Sequence, residues 1–229
     1  MKKIGLLIFC GALAFTGLQT APLHAGDTTT TVATVPKELA VDKDASASDN
    51  RDWSLELGTG IQFANVRESN LDDYTLVPAQ LTAALKLDDV SLDDVFWGLL
   101  RGYSEFLFQG YGYAVPHGVE SRIVGVNVGP RYNFVQPGWK VVPYVEGLVG
   151  FGFADSNPYT DASGPHGLGQ DFNFTFGVGG GARYDINQDW FTRVGVNYTH
   201  FSNAGLSEPQ FPNRAIDAFG PEISIGRRF

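Results

Sequence analysis

From Trp53 to Phe229 the chain alternates between apolar side chains and polar or small ones, and a period of two restricts it to β-strands. Gly, Asn, Asp and Pro divide the alternation into eight candidate strands: Trp53–Val66, Tyr74–Lys86, Phe96–Tyr113, Arg122–Phe134, Trp139–Phe153, Phe172–Asp185, Trp190–Ser202 and Ile216–Phe229. Several reach the ~9–11 tilted residues with which a barrel strand crosses a bilayer. The parity of their side chains carries the most information. In the fourth strand Val124, Val126, Val128, Tyr132 and Phe134 share one face, and Asn127, Arg131 and Asn133 share the other. In the sixth, Phe172, Phe174, Phe176, Val178 and Tyr184 oppose Asn173, Thr175, Gly177, Gly179 and Arg183. The fifth sets Val141, Val145, Val149 and Phe151 against Tyr144 and Glu146. A soluble sandwich turns its apolar face inward and spreads charge outside. Here isolated Arg and Glu sit among glycines, the composition of a small barrel lumen with room for charged pairs.

Composition alone leaves sandwich, soluble barrel and membrane barrel open, although 13% aromatic residues and 28 glycines in 229 are high for a soluble domain. After residue 25 no stretch approaches the ~18 apolar residues of a spanning helix. The chain closes on Arg227-Arg228-Phe229, and a terminal Phe after an alternating strand resembles the last strand of bacterial outer-membrane proteins. The expected fold is therefore all-β, an eight-stranded antiparallel transmembrane barrel. An even strand count puts both termini on the periplasmic side. Gln136-Pro137-Gly138 and Asn187-Gln188-Asp189 are then tight periplasmic turns, and Asp155–Gln170 and Asn203–Ala215 are longer outer connections. Leu87–Val95, with four aspartates, reads as a solvated acidic periplasmic link, since it lacks the ligand spacing and Gly of a calcium loop.

The first 25 residues read as a secretory leader: basic Lys2 and Lys3, an uncharged apolar run from Ile4 to Leu18, and a small-residue cleavage pattern ending at Ala25. Phe9 before Cys10 excludes a lipidation site. The only cysteine leaves with the leader, so the mature chain has no disulfide framework. Residues 26–50 hold no aromatic and many Thr, Ala, Asp and Ser; they read as a flexible segment ahead of a barrel over 51–229. Without the leader, 14 basic face 25 acidic side chains, a formal net charge of −11 that argues against nucleic acid as a partner.

The seventh strand carries the chemistry. Its apolar parity runs Val194, Val196, Tyr198 and continues into His200 and Ser202, on the membrane side near the outer rim. Two residues apart on one face, their Cα atoms lie about 6.5–7 Å apart, within reach of an imidazole serving as base to a hydroxyl nucleophile. Counting back from Phe229, the outward parity of the eighth strand takes in Ile225, Ile223, Phe219 and Asp217. Asp217 begins that strand at the same rim, one loop away, where a carboxylate could orient the imidazole. Singly, each has a plainer reading: an interfacial His, a strand-end Ser, a loop-flanking Asp. Three polar groups on lipid-facing parity at one end of adjacent strands are harder to set aside, because such exposure is unfavourable.

The string His200-Phe201-Ser202-Asn203-Ala204-Gly205, followed by Pro212-Asn213 and a terminal strand, resembles the signature of the lipid A 3-O-deacylases of PagL type. The resemblance covers the chain after Asn50 and is most specific in the last thirty residues. It implies an eight-stranded outer-membrane barrel that hydrolyses the ester-linked acyl chain at the 3-position of lipid A. It further implies Ser202 as nucleophile, His200 as base, Gly205 N–H and the Asn213 amide at the oxyanion, and Asn203 as support. Two departures stand out. The connection from Ser202 to Pro212 is longer than in the family, and the third triad position, usually Glu, is Asp217 here. Glu222 has lumen parity and Glu208 lies in the loop, so both are weaker candidates for that role.

The implied partners are lipid A within lipopolysaccharide and the surrounding outer-membrane lipid; association into a homodimer is left open. No cofactor and no metal is expected, since His117 and His166 fall in separate outer loops without ligand spacing. Arg67, Arg122 and Arg214 are the scattered basic residues available to lipid A phosphates. A phospholipase-like hydrolase with the same triad, and a non-enzymatic barrel with a decayed motif, remain as alternatives.

Overall fold

The computed structural model of the chain describes residues 52–64, 74–156, 167–211 and 213–229. The leader, the segment 26–50, Arg67, His166 and Pro212 lie outside the described residues. Among those described, the strands in chain order are β1 (Trp53–Gly60), β2 (Gln62–Ala64), β3 (Tyr74–Lys86), β4 (Gly102–His117), β5 (Arg122–Phe134), β6 (Val141–Ala154), β7 (Phe172–Asp185), β8 (Trp190–Ser202) and β9 (Ile216–Arg228). Every pairing is antiparallel; β1 and β2 each pair with β3 on one side and β9 on the other, and the remaining strands pair in chain order, so the sheet closes on itself. β1 and β2 are two halves of one barrel strand in the same register against β9. Their interruption at Ile61 faces Pro221, which has no N–H to give the ladder; Ile61 N–H instead donates to the Pro221 carbonyl at 3.2 Å. The fold is thus an eight-stranded antiparallel barrel, as the alternation predicts.

The third strand differs from its sequence-based bounds. It begins at Gly102 rather than Phe96, and runs on to His117. Leu92, Phe96, Trp97 and Gly98 all adopt positive φ, which a strand does not accommodate. The partners also end too soon: β3 stops at Lys86 and β5 at Phe134, so residues 96–101 have no ladder to join. The periplasmic link therefore extends from Leu87 to Arg101, and its apolar end is held by turn bonds and by Tyr132 Oη donating to the Leu100 carbonyl at 2.6 Å.

The two faces follow the predicted parity. Val124, Val126, Phe174, Phe176, Val178, Val194 and Val196 are exposed around the outer wall, an apolar band suited to lipid. Inward, Arg131 meets Glu56 at 2.6 Å and Glu146 at 2.7 Å, and Arg193 meets Glu56 at 3.2 Å. Buried charges are tolerable only when paired in this way. Nearer the outer rim the polar lumen gives way to an apolar plug that includes Tyr74, Leu76, Tyr113, Leu168 and Phe201. The plug fills the end of the barrel on whose outside Ser202 sits.

Candidate active site

β8 and β9 bring His200 and Asp217 directly opposite one another across the ladder. The imidazole Nδ1 lies 2.7 Å from Asp217 Oδ1, and the Tyr198 hydroxyl donates to the same carboxylate oxygen. The side chains of His200 and Asp217 are 35% and 46% exposed, so the pair is open to whatever covers the outer wall. Ser202 follows two residues on with the same orientation. The inward residue between them is Phe201, fully buried, whose ring meets those of Tyr113 and Tyr111 edge to face at 5.3 and 6.2 Å. Because one residue of slip would exchange the faces, burial of Phe201 is what keeps His200 and Ser202 outside.

Immediately after Ser202 the chain turns sharply, with Ala204 at φ 55° and Gly205 at φ 82°. Left-handed backbone suits Gly and penalises larger residues, which accounts for the small pair at these positions. The turn aims Ala204 N–H at Ser202 Oγ, 3.2 Å away, and Asn213 Nδ2 donates to the same oxygen at 2.8 Å. Asn203 is wholly buried and braces the turn from inside. Its Nδ2 donates to the Leu168 carbonyl at 2.7 Å and to Ser207 Oγ at 2.8 Å, and its Oδ1 accepts from Gly205 N–H at 2.9 Å.

His200, Ser202, Asn203, Gly205, Asn213 and Asp217 thus form one cluster. Of the two oxyanion groups implied by resemblance, Asn213 reaches Ser202, whereas Gly205 N–H is engaged by Asn203; the backbone N–H on Ser202 is that of Ala204. Among the described residues, no hydrogen bond joins Ser202 to His200. Glu222 lies in the lumen, accepting from Gln62 and Gln80 at 3.0 and 3.1 Å, and is remote in orientation from Asp217. Glu208 N–H donates to the Gly205 carbonyl at 3.1 Å, which keeps Glu208 in the loop. Tyr198 and Ala204 are participants that sequence reasoning missed. The parity argument did pass through Tyr198, two residues before His200, and its hydroxyl was the available signal. Arg122 is largely exposed, 3.9 Å from Asp155, and Arg214 follows Asn213, with its N–H on the Gly167 carbonyl at 3.2 Å. Among the described residues no group of three or more His, Cys, Asp or Glu is gathered as a metal site.

A closed barrel with an apolar exterior and a paired, polar lumen defines the outer-membrane β-barrel class, here with a Ser, His and Asp clustered on its lipid-facing rim. The family model for lipid A 3-O-deacylase (PagL) matches residues 89–225, and the chain belongs to that family. No curated protein matches it in sequence. Among solved structures it is similar to the outer membrane enzyme PagL, at 18% identity over 75% of this chain and 97% of the other, with a TM-score of 0.48. Neisserial surface protein A gives a TM-score of 0.53 at 11% identity over 77% and 97% of the two chains, a likeness of fold. The N-terminal barrel domain of Pseudomonas aeruginosa OprF gives 0.44 at 14% identity, over 77% and 97%. The protein is an outer-membrane barrel of the lipid A deacylase family.

Proposed function

We propose that the protein removes the 3-O-linked acyl chain of lipid A as a Ser-His-Asp ester hydrolase working from the outside of its barrel. The reading is supported above all by the His200–Asp217 hydrogen bond, made on lipid-facing parity two residues from Ser202. A lipid A molecule in the outer leaflet would lay its acyl chains along the wall beside Phe174 and Phe176, which pair with Ser202 and His200 in the β7–β8 register. Its ester carbonyls would then stand at the height of the rim.

Asp217 on Nδ1 selects the tautomer that carries its proton there and leaves Nε2 free as a base. The Ser202–imidazole hydrogen bond is one for substrate to complete, since such bonds are often long in free enzymes. Ser202 Oγ attacks the ester carbonyl, its proton passes to His200 Nε2, and Asp217 stabilises the imidazolium. Asn213 Nδ2 and Ala204 N–H, already directed at Oγ, are the donors nearest the developing oxyanion. Collapse breaks the bond to the sugar 3-oxygen, which takes the proton back from Nε2. Water, deprotonated by His200, then cleaves the acyl-serine and frees a hydroxy fatty acid.

Purified barrel should be incubated with lipid A and, separately, with phospholipid, and the products weighed by mass spectrometry. Loss of a single hydroxyacyl chain from lipid A, with phospholipid intact, is the expected result. Cleavage of phospholipid alone would contradict the substrate, and no cleavage of either would contradict the enzyme.

A further inference from the structure

Glu120 is a buried carboxylate, 2% exposed, in the short outer turn between β4 and β5. It is far in sequence from every residue of the proposed triad. Tyr74 Oη donates to its Oε2 at 2.6 Å, and the backbone N–H of Leu168 donates to its Oε1 at 2.6 Å. Gly167 lies against it so closely that a Cβ there would overlap Oε1. Gly167 and Leu168 in turn use their carbonyls on the two stretches that bring donors to Ser202. Leu168 O accepts from Asn203 Nδ2, and Gly167 O accepts from the N–H of Arg214, next to Asn213. The turn after Ser202 and the stretch carrying the Asn213 amide therefore hang on one dipeptide, and Glu120 holds that dipeptide from within.

From this chain of contacts we propose that Glu120 is a positioning residue. Through Gly167 and Leu168 it fixes the Ala204 and Asn213 donors around Ser202 Oγ. The inference rests on the deacylase reading above. A charged acceptor suits the task, because bonds from N–H and O–H to a carboxylate are shorter and stronger than those between neutral groups. Alanine at 120 would leave Leu168 N–H buried and unpaired, which frees the dipeptide to move. Glutamine keeps an acceptor for Leu168 and, with its amide turned to the Tyr74 oxygen, a partner there too.

The test uses the purified full barrel with lipid A, and compares Glu120→Ala, Glu120→Gln, Asn203→Ala and the Ala double variant. Hydrogen exchange of the segment 203–211 is followed alongside kinetics. Glu120→Ala should lower kcat about 10–100-fold, the scale of a small misplacement arising away from the chemistry. KM should change little, because donors that act on the oxyanion act in the transition state. Exchange across 203–211 should quicken. Glu120→Gln should restore both readouts, and the double variant should lose less than the product of the two single losses, since Asn203 lies on one of the two branches that Glu120 holds. Unchanged kcat per folded barrel, unchanged exchange at 203–211, or losses that multiply in the double variant would each overturn the proposal. Should Glu120→Ala fail to fold, Tyr74→Phe withdraws one of the bonds that hold the carboxylate. It should show the same pattern at smaller amplitude, and wild-type behaviour there would count against Glu120. A wild type that does not deacylate lipid A would defeat the deacylase reading instead, and the exchange data would then decide whether Glu120 governs the turn.

Discussion

Asp217 bears two donors on one oxygen, His200 Nδ1 and the Tyr198 hydroxyl, and this sets the order in which substitutions should act. Asp217→Ala should slow lipid A deacylation less than Ser202→Ala or His200→Ala, because nucleophile and base act as a unit and water can partly replace an exposed orienting acid. Asp217→Glu should keep or raise activity. If Asp217→Ala is silent while Glu208→Ala or Glu222→Ala abolishes turnover, the third member has been misassigned. Asn213→Ala should lower kcat by ~10²-fold if its amide meets the oxyanion. Ala204→Gly should be tolerated, since glycine accepts the left-handed backbone without strain. Single-turnover kinetics on each variant would check this order. How legible these residues were is uneven. His200, Ser202 and Asp217 could be found by counting parity along two strands. The engagement of Gly205 by Asn203 could not, because it depends on a turn whose φ values no periodicity encodes.

At the level of the strand, Phe201 joins packing to chemistry. Buried between Tyr111 and Tyr113, it fixes the face of β8 on which His200 and Ser202 appear. Phe201→Ala should destabilise the barrel by about 3–5 kcal/mol and lower activity further than the folded fraction explains. Urea unfolding, paired with activity per folded barrel, would separate the two effects. A Phe201→Ala barrel of wild-type stability would contradict this account of register. β4 marks where sequence reading failed. The run Val95–Leu100 is apolar enough for a strand, but hydrophobicity does not reveal that β3 and β5 have already ended. Pro221 was equally visible in the sequence. Its effect on the opposite strand at Ile61 depends on a pairing between the first and last strands that local pattern does not contain.

For the whole barrel, the lumen is held by mutual neutralisation. Arg131 serves Glu56, Glu146 and Glu105 at 2.6, 2.7 and 3.4 Å, so removing it leaves several carboxylates without their closest cation. Arg131→Ala should destabilise the fold by about 3–5 kcal/mol, the scale for breaking a buried ion pair by removing one partner. The check is the urea midpoint of the heat-modifiable folded band on a gel; an unchanged midpoint would mean that these charges are solvated and the lumen is open. The alternation over eight strands made this architecture readable, since isolated charges on a glycine-rich face have few other homes. Pairing partners within the lumen were not readable, because side chains from four or more strands meet there. The proposal that the outer wall of this barrel carries a serine esterase acting on lipid A stands on Ser202. Its most direct test is the mass spectrum of lipid A after incubation with equal amounts of folded wild type and folded Ser202→Ala. Loss of one hydroxyacyl chain with the wild type and intact lipid A with the variant are expected. Equal deacylation by both would contradict the proposal.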